Sequence, residues 1–441
     1  MVGRPRTGAG IALGIAVLLV LAAGALAKPG QVDTRYGFNG SLDITGALPG
    51  PEFQRGALAT AVGPQDESVV LSYATRPCAG PGTCADLHVT RVLADGSLDS
   101  AYGARGGVVA SVDWGSGGWA VGPNGGIAVQ ADGKVVVAAG DGFSVRVARL
   151  NPDGSNDTVS SIPLGDPVTV TDLAIRPTGE IVVSGASGDT FFVSQLTADG
   201  GSDSRFGARG TRFESFQPGA LPGDLVLRGA STVVGGNACC APSSSMALAE
   251  FDAAGNLSGA IRVRLPKRLG LGKPKGIAAV IPGPKGSTFV VGSAAKGTFV
   301  AKYLRSGRLE TDFGKGGFAV VRGLTTEARS AVRDSRGRIV VLGWRLDVPD
   351  SAGFRARFVS TVRLLPSGRP DPTYGGVRPL LVVEEGGLRV GLDFSRSIGL
   401  VQRSDGLLMM LGEADPNRYA KVPSGPHFGL VRFLAGGRLR R

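Results

Sequence analysis

Two short phrases alternate along the chain, and each occurs seven times. The first ends in a tight turn and a Val-rich run, as in 129–140, and the second opens with a Leu and an Asp-Gly turn, as in 93–107. Gly accounts for 71 of the 441 residues and apolar residues for 42%. Together these observations predict an all-β fold, a seven-bladed β-propeller of four-stranded antiparallel blades. Collagen would need Gly at every third position, and disorder would need fewer apolar residues.

The spacing of the copies supports a ring of blades over other repeat folds. Copies of the first phrase occupy 62–72, 129–140, 175–185, 227–236, 281–292, 332–343 and 401–412. Copies of the second begin at Leu93, Leu150, Leu196, Phe251, Leu304, Leu365 and Leu434. These leading residues are 46 to 69 positions apart, which is too long for one coil of a β-helix. An array of β-sandwiches remains the other competing interpretation.

Each repeat is predicted to contain strands joined by hairpins. Val-rich runs of four to six residues flanked by Asp-Gly or Ser-Gly are typical of such strands. In the run 143–150, alternation places Phe143, Val145 and Val147 on one face and Arg146 on the other.

The two ends of the chain are predicted to share one blade. The C-terminal copy of the second phrase stops partway, and 31–40 near the N-terminus matches its missing half, with Asp33 and Tyr36 where Asp99 and Tyr102 stand. We therefore expect the N-terminal strand to complete the last blade, which removes an open sheet edge. The predicted organisation is a signal peptide at 1–27, then a propeller at 28–441 with a closing strand at 31–43. The predicted blades lie at about 55–107, 116–165, 166–210, 219–262, 273–317, 325–376 and 395–441.

The repeat resembles that of the delta-60 repeat family of exported bacterial proteins. The matching stretches are 131–140, 147–157, 93–107 and 309–317, and the resemblance covers nearly the whole chain after the signal, with weak copies near Asp66 and Ala230. The resemblance implies a propeller-like fold and export. It implies no reaction and no catalytic residues.

The N-terminus has the pattern of a secretory signal. Arg4 and Arg6 precede an apolar run at 11–23, and 25–27 is a small-x-small cleavage motif. The expected location is therefore secreted or in the cell envelope, although an uncleaved anchor is the alternative. No later segment is long and apolar enough to predict a second membrane span. The formal net charge of +12 allows an anionic polymer as partner, but the basic residues are scattered, and no nucleic-acid partner is expected.

Binding is expected on the face that carries the long connections between strands. These connections vary strongly in length, and variable loops on a rigid scaffold are common binding sites. Arg beside Trp or Tyr suits recognition of carboxylates, phosphates or sugars, although ordinary solvated loops would have the same composition. The candidate binding residues are Trp344, Arg345, Asp347, Arg355, Arg357, Arg418, Tyr419 and His427.

Catalytic and metal-binding motifs have little support. The chain has two histidines, and His88 lies in a predicted strand. No nucleophile elbow, zinc-protease, phosphate-binding or dinucleotide motif stands in a fitting context. Asp95, Ser97 and Asp99 have the spacing of a calcium loop, but other copies replace the first acid by Ser or Gly, whereas the Gly persists. We therefore predict no metal, no cofactor and no catalytic residue.

Four cysteines in an exported chain suggest disulfides. Cys78 and Cys84 flank one long loop, and a local bridge between them is plausible. Cys239 and Cys240 are adjacent, in the equivalent loop of the fourth repeat, nearly opposite on the ring. A bridge or a shared zinc between the two loops is therefore not expected. A vicinal disulfide, free thiols and an intermolecular link remain open for this pair.

Three functions are compatible with these features. The first is an exported, non-catalytic binding or scaffold propeller that acts through its long-loop face on a glycan, peptide or protein. The second is a propeller enzyme, a lyase or hydrolase, with its site at the channel mouth. The third is a structural protein of the cell envelope. The residues that line the central channel would best separate the first two.

Overall fold

The computed structural model describes residues 30–38, 40–45, 55–77, 83–104, 106–110, 125–188, 190–214, 220–238, 245–324, 327–346, 357–375, 380–385, 388–414 and 427–434. Within these residues the chain forms seven antiparallel sheets. The innermost strands of neighbouring sheets contact one another around the ring. The innermost strand of the last sheet, β26 (Leu388–Gln402), contacts that of the first sheet, β2 (Arg55–Val62). The sheets therefore close into a ring, and the predicted seven-bladed β-propeller is confirmed.

The strands follow the order of the repeats. Strand β1 (Ser41–Asp43) precedes blade one, which contains β2, β3 (Ser68–Pro77), β4 (Thr83–Val92) and β5 (Gly107–Ala110). Blade two contains β6 (Gly125–Val129), β7 (Val135–Gly140), β8 (Ser144–Leu150) and β9 (Asn156–Pro163). Blade three contains β10 (Val168–Ile175), β11 (Ile181–Ser187), β12 (Thr190–Leu196) and β13 (Thr211–Glu214). Blade four contains β14 (Ala220–Arg228), β15 (Ser231–Ala238), β16 (Ser245–Phe251) and β17 (Leu257–Val263).

The remaining strands form blades five to seven. Blade five contains β18 (Pro274–Pro282), β19 (Thr288–Ala294), β20 (Gly297–Tyr303) and β21 (Phe318–Val321). Blade six contains β22 (Ala328–Arg333), β23 (Ile339–Leu346) and β24 (Arg357–Leu364). Blade seven contains β25 (Leu380–Glu385), β26 (Leu388–Gln402), β27 (Leu408–Ala414) and β28 (His427–Phe433), together with β1. Short 3₁₀ turns cover Lys267–Leu269 and Pro284–Gly286.

Two blades depart from the predicted four strands. Among the described residues blade six has three strands, and blade seven has five because β25 pairs with the first half of β26. Only Gly386 and Gly387 separate these two strands in the sequence, and a Gly-Gly pair between apolar runs favours a local hairpin. This hairpin explains why β25 does not occupy the outer position of blade six.

The ring closes through the N-terminal segment, as predicted. Strand β1 pairs with β28, with Ser41 opposite Val431 and Asp43 opposite Gly429. Val32 forms a further bridge with Phe433. The first and last parts of the chain therefore share blade seven.

The hydrophobic core lies between neighbouring blades. Every residue of β7, β11 and β19 is buried, because each second strand is covered on both faces by adjacent sheets. In one such interface Val136 and Val145 of blade two pack with Val170 and Val183 of blade three. Burial of a Val side chain of this kind contributes roughly 1.5–3 kcal/mol. Among the described residues no helix has the length and apolar character needed to span a membrane.

The innermost strand of each blade lines the central channel. It is called the first strand here, and in blade seven it is β26 rather than β25. A β-bulge recurs at the same register in six of the seven described first strands, at Leu58, Thr171, Gly223, Ala278, Arg329 and Ile398. Each first strand runs from the face of the long connections, called the loop face here, to the face of the tight turns, called the turn face. The bulge changes the direction in which side chains point, and it sets which residues meet in the channel.

Candidate functional site

Four of the predicted binding residues belong to described strands, at the loop-face ends of blades six and seven: Trp344, Arg345, Arg357 and His427. Trp344 lies in β23, half-buried, and packs against the core shared by these blades. The backbones of Arg345 and Arg357 belong to the paired strands β23 and β24. Asp347, Arg355, Arg418 and Tyr419 lie outside the described residues.

His427 begins β28 on the loop face and contacts the closing strand. Its Nδ1 lies 2.8 Å from Oδ2 of Asp43 in β1. Oδ1 of the same carboxylate accepts the Thr45 amide at 2.9 Å, and the Thr45 hydroxyl accepts the Phe428 amide at 2.9 Å. These hydrogen bonds fix β1 against β28, so His427 takes part in ring closure.

Only one of the four cysteines falls within the described residues. The backbone of Cys84 lies in β4, opposite Arg76 in β3. Cys78, Cys239 and Cys240 lie outside the described part of the chain, so the disulfide predictions stay predictions.

The acidic turn of the second phrase serves packing between blades. Asp99 accepts a hydrogen bond from Arg91 at 2.6 Å, and the Arg91 guanidinium stacks over Tyr102 with 4.5 Å to the ring centre. Tyr102 is fully buried in the core shared by blades one and two. The backbone amide of Gly103 donates a hydrogen bond to the backbone carbonyl oxygen of Asp153 in blade two at 2.9 Å. Asp95 instead accepts the Ser97 amide and hydroxyl. The acids of this calcium-like stretch thus bind different partners.

The same arrangement recurs at two other blade interfaces. Arg363 binds Asp371 at 2.8 Å and stacks over Tyr374. Arg432 of β28 binds Asp33 at 3.0 Å and stacks over Tyr36. The latter set joins the N-terminal segment to the last blade. An acid, a cation and an aromatic ring thus fasten the outer part of a blade.

The central channel is a candidate site within the described part of the molecule. It encloses about 530 Å³ and is lined by the first strands of all seven blades. This volume falls in the range of about 300–1,000 Å³ usual for small-ligand pockets. Its ionisable lining residues are Asp172 and Asp224 in blades three and four, and Arg329 and Arg333 in blade six. Blade six lies across the ring from blade three, so the two kinds of charge occupy opposite walls.

The two channel carboxyl groups form one hydrogen-bonded unit. Asp172 accepts the amides of Leu173 at 2.7 Å and Leu225 at 2.9 Å. Asp224 accepts the same Leu225 amide at 3.0 Å and the amide of Val280 in blade five. The two carboxyl groups also interact with each other electrostatically. The pair therefore connects blades three, four and five.

Burial and mutual repulsion change the ionisation of this pair. Burial raises the pKa of Asp172. Burial and the neighbouring Asp172 carboxylate raise the pKa of Asp224 well above its usual range. Because the two carboxyl groups interact, loss of the second proton costs more than loss of the first.

Sequence reasoning missed the four ionisable residues of the channel, although a signal for two of them was present. Asp172 and Asp224 each stand before a Leu and four residues before an Arg, in 172–176 and 224–228. At the same register the other blades have Ala59, Gly126, Ala279, Ser330 and Gly399. An alignment of the first strands would have shown two acids among small residues.

Comparison with known proteins matches one segment of the repeat to a described family, and that family has no stated activity. Residues 130–158 match a family described as a domain of unknown function (DUF5122) beta-propeller. A search of curated proteins found no match. The matched segment covers the β6–β7 turn through the start of β9.

Several solved structures are similar at low identity. A protein from Lactobacillus plantarum is 16% identical, with 74% of this chain and 93% of that one covered and a TM-score of 0.43. Sqt1 from Chaetomium thermophilum is 13% identical, with 87% of each chain covered and a TM-score of 0.44. A gluconolactonase from Xanthomonas campestris is 15% identical, with 72% and 91% covered and a TM-score of 0.34. We draw no functional conclusion from these likenesses.

Proposed function

We propose that the protein is an exported, non-catalytic binding propeller that takes its ligand at the loop-face mouth of the central channel. The ligand is a glycan, a peptide or a segment of a protein. We also propose that the chain belongs to the delta-60 repeat family, on the repeat phrases in the sequence. The signal pattern at 1–27 supports export to the cell surface or medium.

The channel is the observation that carries this proposal. All seven first strands line it, and it combines aliphatic residues such as Leu58 and Ile127 with a few charged groups. The accessible wall of the channel is more polar than apolar, which suits a ligand that forms several hydrogen bonds. The scaffold around it is rigid, because each blade is fastened to its neighbours by buried Val and Phe side chains.

The state of the channel carboxyls supports binding over catalysis. A general acid or base must be able to reach a proton on the substrate. The carboxylates of Asp172 and Asp224 instead accept hydrogen bonds from three backbone amides. These contacts suit a structural connection between blades.

A glycan and peptide array tests the proposal. The exported full chain should bind a defined subset of ligands, and deletion of the loop 347–356 or closure of the channel by Gly399→Trp should remove that binding. Gly399 lines the channel, so a large side chain there would occupy its space. Gly375→Trp is the matched control, because nothing lies within 4 Å of a Cβ at Gly375, its backbone is not left-handed, and it does not line the channel. Binding by both tryptophan variants alike would contradict a channel site.

A further inference from the structure

We propose that the channel ligand is an acidic oligosaccharide whose negative groups contact Arg329 at the loop end and Arg333 at the turn end. This inference rests on the proposed function, since it names the ligand class for the same channel. It follows from the balance of charge in the channel, the spacing of the two arginines and the hydrogen-bonding groups beside them.

The arginines provide the charge in the channel that is available to a ligand. The carboxylates of Asp172 and Asp224 accept hydrogen bonds from backbone amides. Arg329 and Arg333 on the opposite wall have no such set of partners. Within the described residues the lining therefore offers a ligand two guanidinium groups, whereas the carboxyl groups are engaged by backbone amides, and this favours an anionic ligand.

Each arginine can accept an anion at modest cost. Arg329 forms an ion pair with Glu327 at 3.3 Å, but the two side chains are 47% and 36% exposed. Ion pairs exposed in this way contribute little to stability, so a ligand can replace Glu327. Nε of Arg333 is buried and has no hydrogen-bond partner within the described part of the chain. An acidic group at that end of the channel would satisfy the Arg333 guanidinium.

The spacing of the arginines favours a chain-like ligand. Both lie on β22, four positions apart, which corresponds to roughly 13 Å along a strand. Arg329 stands at the loop-face end of β22, and Arg333 precedes the tight turn at 334–338. One small anion cannot reach both, whereas an oligosaccharide with acidic groups on separate sugar units can lie along the channel.

The groups near the arginines favour a saccharide over an acidic peptide. The Ser330 hydroxyl accepts the Leu400 amide at 3.2 Å, so its own hydrogen can be donated to a ligand. The Gln402 amide group lies nearby at the turn end of the channel. Sugar hydroxyls both donate and accept, and they rotate to suit their partners. A peptide would bring a fixed series of backbone N–H and C=O groups, each costly to bury unpaired.

Calorimetric titration of the full chain tests the ligand class. The acidic probes are tetragalacturonate and a chondroitin sulfate tetrasaccharide. The neutral probe is methyl-esterified tetragalacturonate, which keeps the sugar backbone and removes the charge. Tetraglutamate represents an acidic peptide. We expect at least one acidic tetrasaccharide to bind, with affinity that falls as salt rises, and the methyl ester to bind about a hundredfold more weakly, because two charge-assisted contacts are lost.

Variants locate the contact. Arg329→Gln and Arg333→Gln should each weaken binding about tenfold, as expected for loss of one charge-assisted hydrogen bond. Arg336→Gln removes a charge from an exposed position on the same blade and should leave affinity unchanged. Thermal unfolding of each variant shows whether it folds. Should one variant fail to fold, the comparison of acid and methyl ester on the unaltered chain still decides the role of charge.

Four results would overturn the inference. They are equal binding of acid and ester, binding of tetraglutamate in place of the saccharides, no binding of either acidic saccharide, and equal affinity of the three arginine variants. A neutral glycan or a peptide found on the array would overturn the ligand class and leave the proposed binding function standing. Absence of any array ligand would contradict the proposed function itself.

Discussion

Asp66 in blade one accepts hydrogen bonds from both the backbone amide and the hydroxyl of Ser404 in blade seven, each at 2.7 Å. Asp66 has a left-handed backbone, with φ of 62°. The equivalent turn position is a Gly in five other blades, at residues 133, 179, 286, 337 and 406. In blade one, Asp66 therefore stands where five other blades have a Gly, and its side chain binds blade seven. This contact closes the ring on the turn face, as the pairing of β1 with β28 does at the outer edge.

Substitutions at Asp66 should separate this contact from the strain of the turn. Asp66→Ala loses both hydrogen bonds and keeps a side chain in the left-handed region, so we expect the free energy of unfolding to fall by about 2 kcal/mol. Asp66→Gly loses the same bonds but removes the strain, and should be about 1 kcal/mol more stable than the Ala variant. Urea denaturation measures both.

Ser404→Ala is the control for the Asp66 variants. It removes only the hydroxyl bond, so its effect should be smaller than that of Asp66→Ala. The double variant should be no less stable than Asp66→Ala alone, because the two residues act through one contact. Additive losses would show that they act separately.

The buried pair of Arg363 and Asp371 should matter far more than exposed ion pairs. The Arg363 side chain is 0% exposed and binds Asp371 at 2.8 Å. Asp371→Asn would leave a buried guanidinium uncompensated, which costs about 3–5 kcal/mol. Glu214→Gln opposite Arg212, which is 43% exposed, should cost about 0–1 kcal/mol. Similar unfolding midpoints for the two variants would contradict the structural role of Asp371.

The pH dependence of the Asp371 contribution has a defined sign. Burial raises the pKa of Asp371, but hydrogen bonds from Thr373 and the charge of Arg363 outweigh this and hold that pKa below its ordinary value. The carboxylate therefore stabilises the fold above the unfolded pKa near 3.8, and this stability is lost as the pH falls through the lower folded pKa. The difference between the unaltered chain and Asp371→Asn should accordingly shrink in strong acid.

The repeats made the architecture predictable, because each feature that defines a blade is local. The turn glycines and Val-rich runs specify hairpins, and Tyr36 matches Tyr102 closely enough to place the N-terminal segment in blade seven. The hairpin of β25 and β26 was not predicted, since Gly386 and Gly387 lie between the repeat phrases. The channel residues Asp172 and Arg329 were missed for another reason. A β-bulge and closure of the ring determine that these two residues line the channel. Their position in the site therefore depends on residues of distant blades.

The contact between His427 and Asp43 should contribute to closure of the ring. His427→Ala and Asp43→Asn each remove one partner of the 2.8 Å contact and should lower the unfolding midpoint. Residues in one hydrogen-bond network show coupling energies of about 0.5–3 kcal/mol, so the double variant should lose less than the sum. Thr169→Ala on β10, far from β1 and β28, should add fully to either variant. Full additivity of the His427 and Asp43 variants would mean that the contact contributes nothing.

The channel carboxyl pair should make the protein less stable as the pH rises. Burial raises the folded pKa of Asp172, and burial together with repulsion by the Asp172 carboxylate raises that of Asp224. The folded chain therefore binds more protons than the unfolded chain above the unfolded value of 3.8. The contribution of these two groups to the free energy of unfolding is fully present below that value and is lost as the pH rises toward the folded pKa. The loss is at most about 1.4 kcal/mol per pH unit for each group.

Asp224→Asn removes one titrating group and the repulsion together. The unfolding midpoint of the unaltered chain, measured relative to this variant, should therefore fall as the pH rises above the unfolded value of 3.8. Asp95→Asn provides a control of opposite sign, because hydrogen bonds from Ser97 lower the pKa of Asp95 and its stabilising effect is lost only in acid. A difference between the unaltered chain and Asp224→Asn that stayed constant as the pH rises would mean that the pKa of Asp224 is not raised in the folded chain.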